Sequence, residues 1–465
     1  MDRKLTLHDG SSYNTSLSYD WQDQEVKKIL PDGAVLELDY RGSEIISRIL
    51  SSGPGSAWSL KAETLKYSPF GRPEKLSLQG SDMGEDFIYE WKYDSQGFLI
   101  SHSLSTESKM LVNDEYFYNA LDQITRKHES VSRSAIEYSY SGKRLAASKS
   151  SSGGSNHYTY DSAGNLAVKR GTEIAYSTGR ALAMKDGESV FDISYETVGR
   201  VSHRVTDGLV MAFKYDSFVS LQFLEELVHG TSIELVSDFE GEMFHRKHSD
   251  GSSDLVVSDE FSIHSQPDDN LVLGSVSSRY ESVEAISPFE GSRLIDIKCT
   301  DTKGNVTHTF NGQDVSIRET PEYDDFGLLN SDTVEGNTNS TYEGNYFGKA
   351  TGLVNFGGRW YDPLVGRFTT PDDILNIDSL IRTDGLNRYA FENNDPINNF
   401  DPTGHWSLSS IAGVVIGTSL ILGAICVTVA TGGGCGGPSG GSRRWSSRGR
   451  WCSGYNVFNR EFGRR

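Results

Sequence analysis

The chain has 465 residues, 36% of them apolar and 11% aromatic, with 22 Tyr, 21 Phe and 48 Gly but only 12 Pro. So aromatic a composition excludes a disordered chain, and Tyr with Gly in this proportion favours many short strands over helices. The net charge is −20, but residues 406–465 hold seven Arg against one Glu, +6, leaving −26 on the first 405, which argues against nucleic-acid binding by the body.

The four cysteines (Cys299, Cys426, Cys435 and Cys452) match no zinc spacing, and three of them lie in the basic tail, so the body is not built on disulfides. Eleven His are scattered without metal-like spacing, and there is no Walker loop, dinucleotide fingerprint or Gly-x-Ser-x-Gly elbow. No cofactor and no metal is expected. The first residues, MDRKLTLHDG, carry no apolar signal segment and fall mid-pattern, as in a fragment or the second of two split genes.

From there the chain repeats itself. The unit is an aromatic-Tyr-Asp-x-x-Gly-x-(Leu/Val) turn flanked by alternating apolar and polar residues, clearest at Lys92–Leu99, Thr159–Leu166 and Tyr323–Leu329. Weaker copies begin at Tyr19, Tyr40, Tyr67, Tyr118, Tyr140, Tyr195, Tyr215 and Phe239, and from Tyr19 to Tyr160 the interval is about 20 to 27 residues, the size of one strand–turn–strand unit. Asp at the turn bonds the backbone two residues on and Gly supplies the positive φ. The Tyr is expected at a strand end with its hydroxyl in water. A lone hairpin cannot bury its apolar face, whereas stacked hairpins can. An ordinary β-sandwich or propeller is the alternative, and no blade signature supports it.

From about 245 to 322 the pattern blurs. Ser258–Pro267 and Ser282–Arg293 read as irregular or degenerate units, with weak strand signals at Leu271–Val276 and Leu294–Cys299 and a Tyr-less turn at Asp301–Val306. Asn330–Ser340 reads as a surface loop.

Residues 346–404 then form a compact, loop-rich stretch punctuated by Gly and Asp-Pro pairs, with rings between them to fill an interior. Its ordered motifs are Arg359-Trp360-Tyr361-Asp362-Pro363, Gly366-Arg367-Phe368, Pro371-Asp372, Asn387-Arg388-Tyr389-Ala390, Asn393-Asn394-Asp395-Pro396 and Asp401-Pro402-Thr403-Gly404. On these residues the chain resembles the RHS/YD-repeat family with its RHS repeat-associated core, which includes bacterial RHS polymorphic toxins, the C components of Tc insecticidal toxin complexes and the YD shell of teneurins.

The resemblance implies an all-β fold, a spiralling YD-repeat sheet forming part of a hollow cocoon, capped by the core. It divides the chain into a shell (1–341), the core (342–405) and a variable C-terminal segment (406–465). It also implies a larger B-like YD-repeat protein that completes the shell, with the chain's own C-terminal segment as cargo. Toxin-type cores are aspartyl autoproteases that cut just after the last Asp-Pro-x-Gly. Position by position, Asp372 and Asp401 match the two acids and Arg367 the Arg of the Gly-Arg-aromatic turn. These three are therefore the expected catalytic residues, and Gly404, His405 and Trp406 the region of the cut. Paired carboxylates suit this chemistry because one stays protonated while the other activates water. Asp373 follows Asp372 where many members have Pro, so both acids fit that position. His405 stands where the family carries an apolar residue. Turn-capping by the same acids is the alternative.

The tail begins with Ile411–Ala430, twenty residues without a charge, long enough to cross a bilayer, followed by a Gly/Ser-rich spacer and the Arg-rich end. A short, partly helical segment is expected, either confined cargo or an anchor touching a membrane. Two functions follow. One is a C-component-like shell, made in the cytoplasm and released within a toxin complex, that frees its cargo by self-cleavage near residue 405. The other is a teneurin-like, membrane-anchored adhesion protein without protease activity.

Overall fold

The computed structural model describes residues 2–7, 10–51, 58–69, 71–186, 189–206, 208–216, 220–237, 243–258, 261–266, 269–277, 282–288, 294–329, 342–348, 351–372, 387–401, 403–405 and 408–409. Residues 1–413 form one compact unit and residues 414–465 a second. The apolar stretch 411–430, the spacer, the Arg-rich end, and the residues Asp373 and Trp406 lie outside the described residues.

The described residues are all-β apart from a 3-10 turn at Glu392–Asn394. Among them thirty strands, from Asp2–Thr6 to Ile317–Glu319, belong to one sheet in which each strand pairs antiparallel with the next in sequence. Such a meander needs only local turns, and the repeat supplies them. At Asp94 the side-chain Oδ1 accepts the N–H of Gln96 (2.8 Å) and of Phe98 (2.9 Å), while Gly97, at φ 89°, donates back to the Asp94 carbonyl. Asp20, Asp161, Asp301 and Asp324 make the same pair of bonds, and so does Asn119.

From Tyr40 to Tyr176 the repeat tyrosines lie at or next to strand ends as expected, but their hydroxyls are bonded to backbone and not left in water. Each of these seven sits at a register shift, a β-bulge. Its hydroxyl then donates to the carbonyl of the residue opposite the preceding repeat's tyrosine. Tyr40 bonds Glu25 (2.8 Å), Tyr67 bonds Ile45 (2.5 Å), Tyr93 bonds Pro73 (3.1 Å) and Tyr118 bonds Leu99 (2.6 Å). Tyr140, Tyr160 and Tyr176 continue the ladder to Ile124, Leu145 and Leu166. Burial raises the phenol pKa of Tyr118, Tyr140 and Tyr160, so these hydroxyls remain donors rather than wet groups.

The described residues of the blurred region also form regular strands. Phe261–Gln266, Asp269–Ser277 and Ser282–Pro288 are strands, as are Leu294–Thr300 and Val306–Asn311. Irregularity at Ser258–Pro267 and over 282–293 was expected from their weak turn motifs. Antiparallel neighbours on both sides satisfy the backbone whatever the turn sequence.

Among the described residues two large apolar clusters lie in the unit, beside a small one around Tyr116 and Ile124. In one, Leu30, Leu50, Leu78, Phe87, Tyr89 and Leu104 meet Ile295, Ile297 and Phe310 from the last strands. There the Tyr89 hydroxyl reaches the carbonyl of Lys298, 209 residues away (3.0 Å). In the other, Leu145, Leu166, Phe191, Phe213 and Leu224 surround the rings of the Asp-Pro-rich stretch. That stretch carries a small sheet of Tyr346–Gly348, Leu353–Asn355, Trp360–Asp362 and Arg367–Phe368. Above it Tyr361 stacks on Phe391 at 3.9 Å, and Phe356 and Phe368 meet both rings edge-on.

Polar contacts fasten this module to the repeat strands. Lys169 bonds Asp324 (2.6 Å) and the Pro363 carbonyl (2.7 Å), Arg204 bonds Asp362 (3.0 Å), and Asn398 accepts the Ile124 N–H (2.8 Å). All five side chains in these contacts (Lys169, Asp324, Arg204, Asp362 and Asn398) are buried, so each needs its partner.

Candidate active site

Asp372 lies four residues after the Arg367–Phe368 strand, and Asp401 directly follows the Asn399–Phe400 strand. The fold brings them to the same cation. Nη2 of Arg359 lies 3.5 Å from Asp372 Oδ2 and 3.8 Å from Asp401 Oδ2. Arg359 is buried against Phe368, its guanidinium 3.6 Å from the ring centre. Its Nη1 donates to the Arg388 carbonyl (3.1 Å) and its Nε to the carbonyl of Gly404.

The peptide bond after Gly404 is therefore held at both ends. Its carbonyl oxygen accepts from Arg359, and its nitrogen, the His405 N–H, donates to Asp401 Oδ1 at 3.1 Å. The His405 ring meets the other acid, Nδ1 to Asp372 Oδ1 at 3.0 Å. Asp401 Oδ1 also accepts the Thr403 N–H (3.2 Å), which shapes the turn. Gly404 has φ 76°, and a Cβ there would stand 2.9 Å from the Arg359 nitrogen and from the Phe356 carbonyl oxygen. Only glycine lets the strand approach this closely.

Of the residues expected from the motifs, Asp372, Asp401, Gly404 and His405 come together and Trp406 lies outside the described residues. Arg367 does not join them. Its guanidinium bonds Asn165 (3.2 Å), the Gly179 carbonyl (2.9 Å) and Asn387 (2.7 Å), between the rings of Tyr176 and Tyr389. Pairing of Asp362 with Arg367 across the hairpin turns Arg367 toward the repeat strands, while Arg359 before Trp360 faces the acids. The cation beside the acids is thus Arg359, the first residue of the Arg-Trp-Tyr-Asp-Pro motif, for which no role was expected.

A second charged cluster lies behind Asp401. Lys303 Nζ, buried, pairs with Glu343, with Glu392 (2.7 Å) and with the Pro396 carbonyl (2.5 Å). Burial, repulsion from Glu343 and a hydrogen bond to it raise Glu392 well above the ordinary carboxyl range. Burial also raises Asp395, to about 6, against the hydrogen bonds from Asn398. Among the described residues no group of three His, Cys, Asp or Glu is placed to hold a metal ion.

Comparison with known proteins agrees with this architecture. The sequence model of the Teneurin YD-shell family matches residues 297–397. The tRNA3(Ser)-specific nuclease WapA of Bacillus spizizenii is 24% identical over 344 residues, which span 72% of this chain and 12% of the nuclease. Teneurin-4 of Homo sapiens is 24% identical over 348 residues, 72% of this chain and 11% of the teneurin. The crystal structure of TcdB2-TccC3-Cdc42 superposes with a TM-score of 0.68 at 15% identity, over 87% of this chain and 23% of that one.

The chain has the RHS/YD-repeat architecture.

As in the TcdB2-TccC3 structure without the hypervariable C-terminal region (TM-score 0.67, 15% identity, 87% of this chain and 23% of that one), the shared part is the shell fold. This RHS/YD-repeat chain spans a small fraction of the proteins that it matches.

Proposed function

We propose that this RHS/YD-repeat protein encloses its own C-terminal segment and cuts it free by aspartyl autoproteolysis at the Gly404–His405 bond. The observation that carries the reading is the grip on that bond: Arg359 on the carbonyl, Asp401 on the nitrogen, and Asp372 on the same guanidinium.

The chemistry divides between the acids. Asp372 takes a proton from a water whose oxygen bonds to the Gly404 carbonyl carbon. Arg359 holds the negative charge that develops on the carbonyl oxygen. Asp401 gives a proton to the His405 nitrogen as the C–N bond breaks. The products are a carboxylate at Gly404 and a free amino group at His405. The freed segment, 405–465, contains the apolar stretch 411–430 and the Arg-rich end.

The structures that share the fold contain TcdB2 together with TccC3, which supports a larger B-like YD-repeat partner for this chain and release as part of a toxin complex. The match to the Teneurin YD-shell model favours a second reading, a surface adhesion protein that keeps its tail and uses 411–430 as an anchor. Asp372→Asn and Asp401→Asn separate the two. Under the first reading the purified wild-type chain runs as two fragments and each variant as one. A wild-type chain that stays whole and fractionates with membranes supports the second.

A further inference from the structure

The cluster of Lys303, Glu343 and Glu392 is buried, charged and unused by the cleavage chemistry. Its three members come from three places. Lys303 sits on a turn of the repeat wall, in the Asx turn closed by Asp301 between the strands Leu294–Thr300 and Val306–Asn311. Glu343 begins the module, where its N–H is held by Asn305 of the same wall turn (2.8 Å) and Gly344 donates to the Gly304 carbonyl (3.0 Å). Glu392 lies in the short turn before Asp395-Pro396.

That turn is strained. Glu392, Asn393 and Asn394 have φ of 47°, 56° and 62°, three successive residues in the left-handed region with no glycine among them. Asn tolerates this conformation and Glu does not. The strain places the Glu392 carboxyl, 1% exposed, against Lys303 and Glu343.

The cluster touches the candidate active site through one bond, the Asp401 N–H donating to Glu343 Oε2 at 3.4 Å. The other charged and titratable groups that act on it are Tyr342 and Tyr361, with Asp324 beyond them, and Asp395 on the side of Lys303. The Tyr342 and Phe391 rings close over the ammonium at 5.7 Å and 5.8 Å.

We propose that Lys303, Glu343 and Glu392 are positioning residues that make cleavage conditional on the repeat wall: Lys303, carried by the wall, orients the Glu343 carboxylate that holds the Asp401 backbone. The proposal rests on the autoproteolysis reading. Without the wall turn in place, two carboxyls face each other with no cation between them, and the acceptor for the Asp401 N–H is lost. The segment is then cut only once the wall around it has formed. Glu392, kept protonated by Glu343 and by burial, lets one lysine balance two acids.

The test uses the full chain, refolded from urea, with two readouts. One is the rate of self-cleavage as a function of pH. The other is hydrogen–deuterium exchange over residues 398–405, with strands 87–118 as the control. Lys303→Met is expected to raise exchange over 398–405 and to slow cleavage, each at least tenfold, with 87–118 unchanged. Lys303→Met combined with Glu343→Gln removes the unpaired charge and keeps an oxygen for the Asp401 N–H, so it restores both readouts. Glu392→Gln fixes the uncharged form and moves the alkaline limb of the cleavage profile upward by a unit or more, which a merely structural residue would not do.

A wild-type chain that stays whole refutes the autoproteolysis reading and conditional cleavage with it. A wild type that cuts, beside a Lys303→Met chain that cuts and exchanges identically, refutes the positioning role alone. If the control strands of Lys303→Met also exchange freely, Glu392→Gln decides, and an unmoved pH profile overturns the proposal.

Discussion

The Tyr118 hydroxyl donates to the carbonyl of Leu99 at 2.6 Å, and Leu99 is the residue that pairs across the strands with Tyr93. From Tyr40 to Tyr176 each repeat is tied in this way to the tyrosine position of the one before it. Removing one hydroxyl leaves a carbonyl unpaired and little else changed. Tyr118→Phe and Tyr140→Phe are each expected to lower unfolding stability by about 1 kcal/mol. Urea denaturation of the full chain checks this, with the m-value unchanged.

The same bond shows what was legible in the sequence. Asp and Gly of the repeat act on backbone two to four residues away, so the turns at Asp94 and Asp161 could be read from local spacing. Even the Tyr-less turn at Asp301 uses the same bonds. The tyrosine's partner is set by strand register, 19 residues away for Tyr118, and no local rule reveals it. The two acids were legible because the motifs around them are long and ordered. Arg359 was not legible, because two buried arginines flank one short hairpin and only its register decides which faces the acids.

Arg359 and Arg367 should therefore fail in different ways. Arg359→Gln removes the donor to the Gly404 carbonyl and is expected to slow self-cleavage roughly 100-fold or more. Arg367→Gln breaks bonds to Asn165, Gly179 and Asn387, and is expected to cost about 1–3 kcal/mol of stability while cleavage continues. Cleavage followed on gels beside thermal unfolding separates the two.

His102 gives the wall a dependence on acid. Its ring is stacked with Tyr89 and Trp91 at 6.4 Å and 5.8 Å between centroids, and neither ring nitrogen has a hydrogen-bond partner. Burial, opposed in part by Asp114, lowers its pKa from 6.5 to about 4. The unfolded chain therefore takes up this proton first. Its contribution to stability is full above pH 6.5 and is lost as the pH falls toward 4, by roughly 3 kcal/mol in all. Asp395 acts with the opposite sign. Raised to about 6, it favours the folded chain at low pH, and that contribution is lost as the pH rises through 6. The informative quantity is the difference between wild type and His102→Phe, which keeps the ring stack. The variant should lose less stability than wild type between pH 6.5 and 4, measured by urea denaturation at each pH.

Gly358 tests the place of His405. A Cβ at 358 would collide with the His405 ring nitrogen Nε2 and stand 3.0 Å from the Thr403 carbonyl oxygen, which accepts the Gly358 N–H at 3.1 Å. Gly358→Ala is expected to displace His405 from Asp372 and slow cleavage at least tenfold, with an unfolding midpoint close to wild type. Cleavage at the wild-type rate would show that the His405–Asp372 contact plays no part.

In the proposed reaction two acids and one arginine close on a single peptide bond. N-terminal sequencing of the fragment released by the purified wild-type chain tests this most directly. The result expected is a fragment that begins at His405, absent from Asp372→Asn and Asp401→Asn. A chain that remains whole, or a fragment that begins elsewhere and persists in both variants, would contradict it.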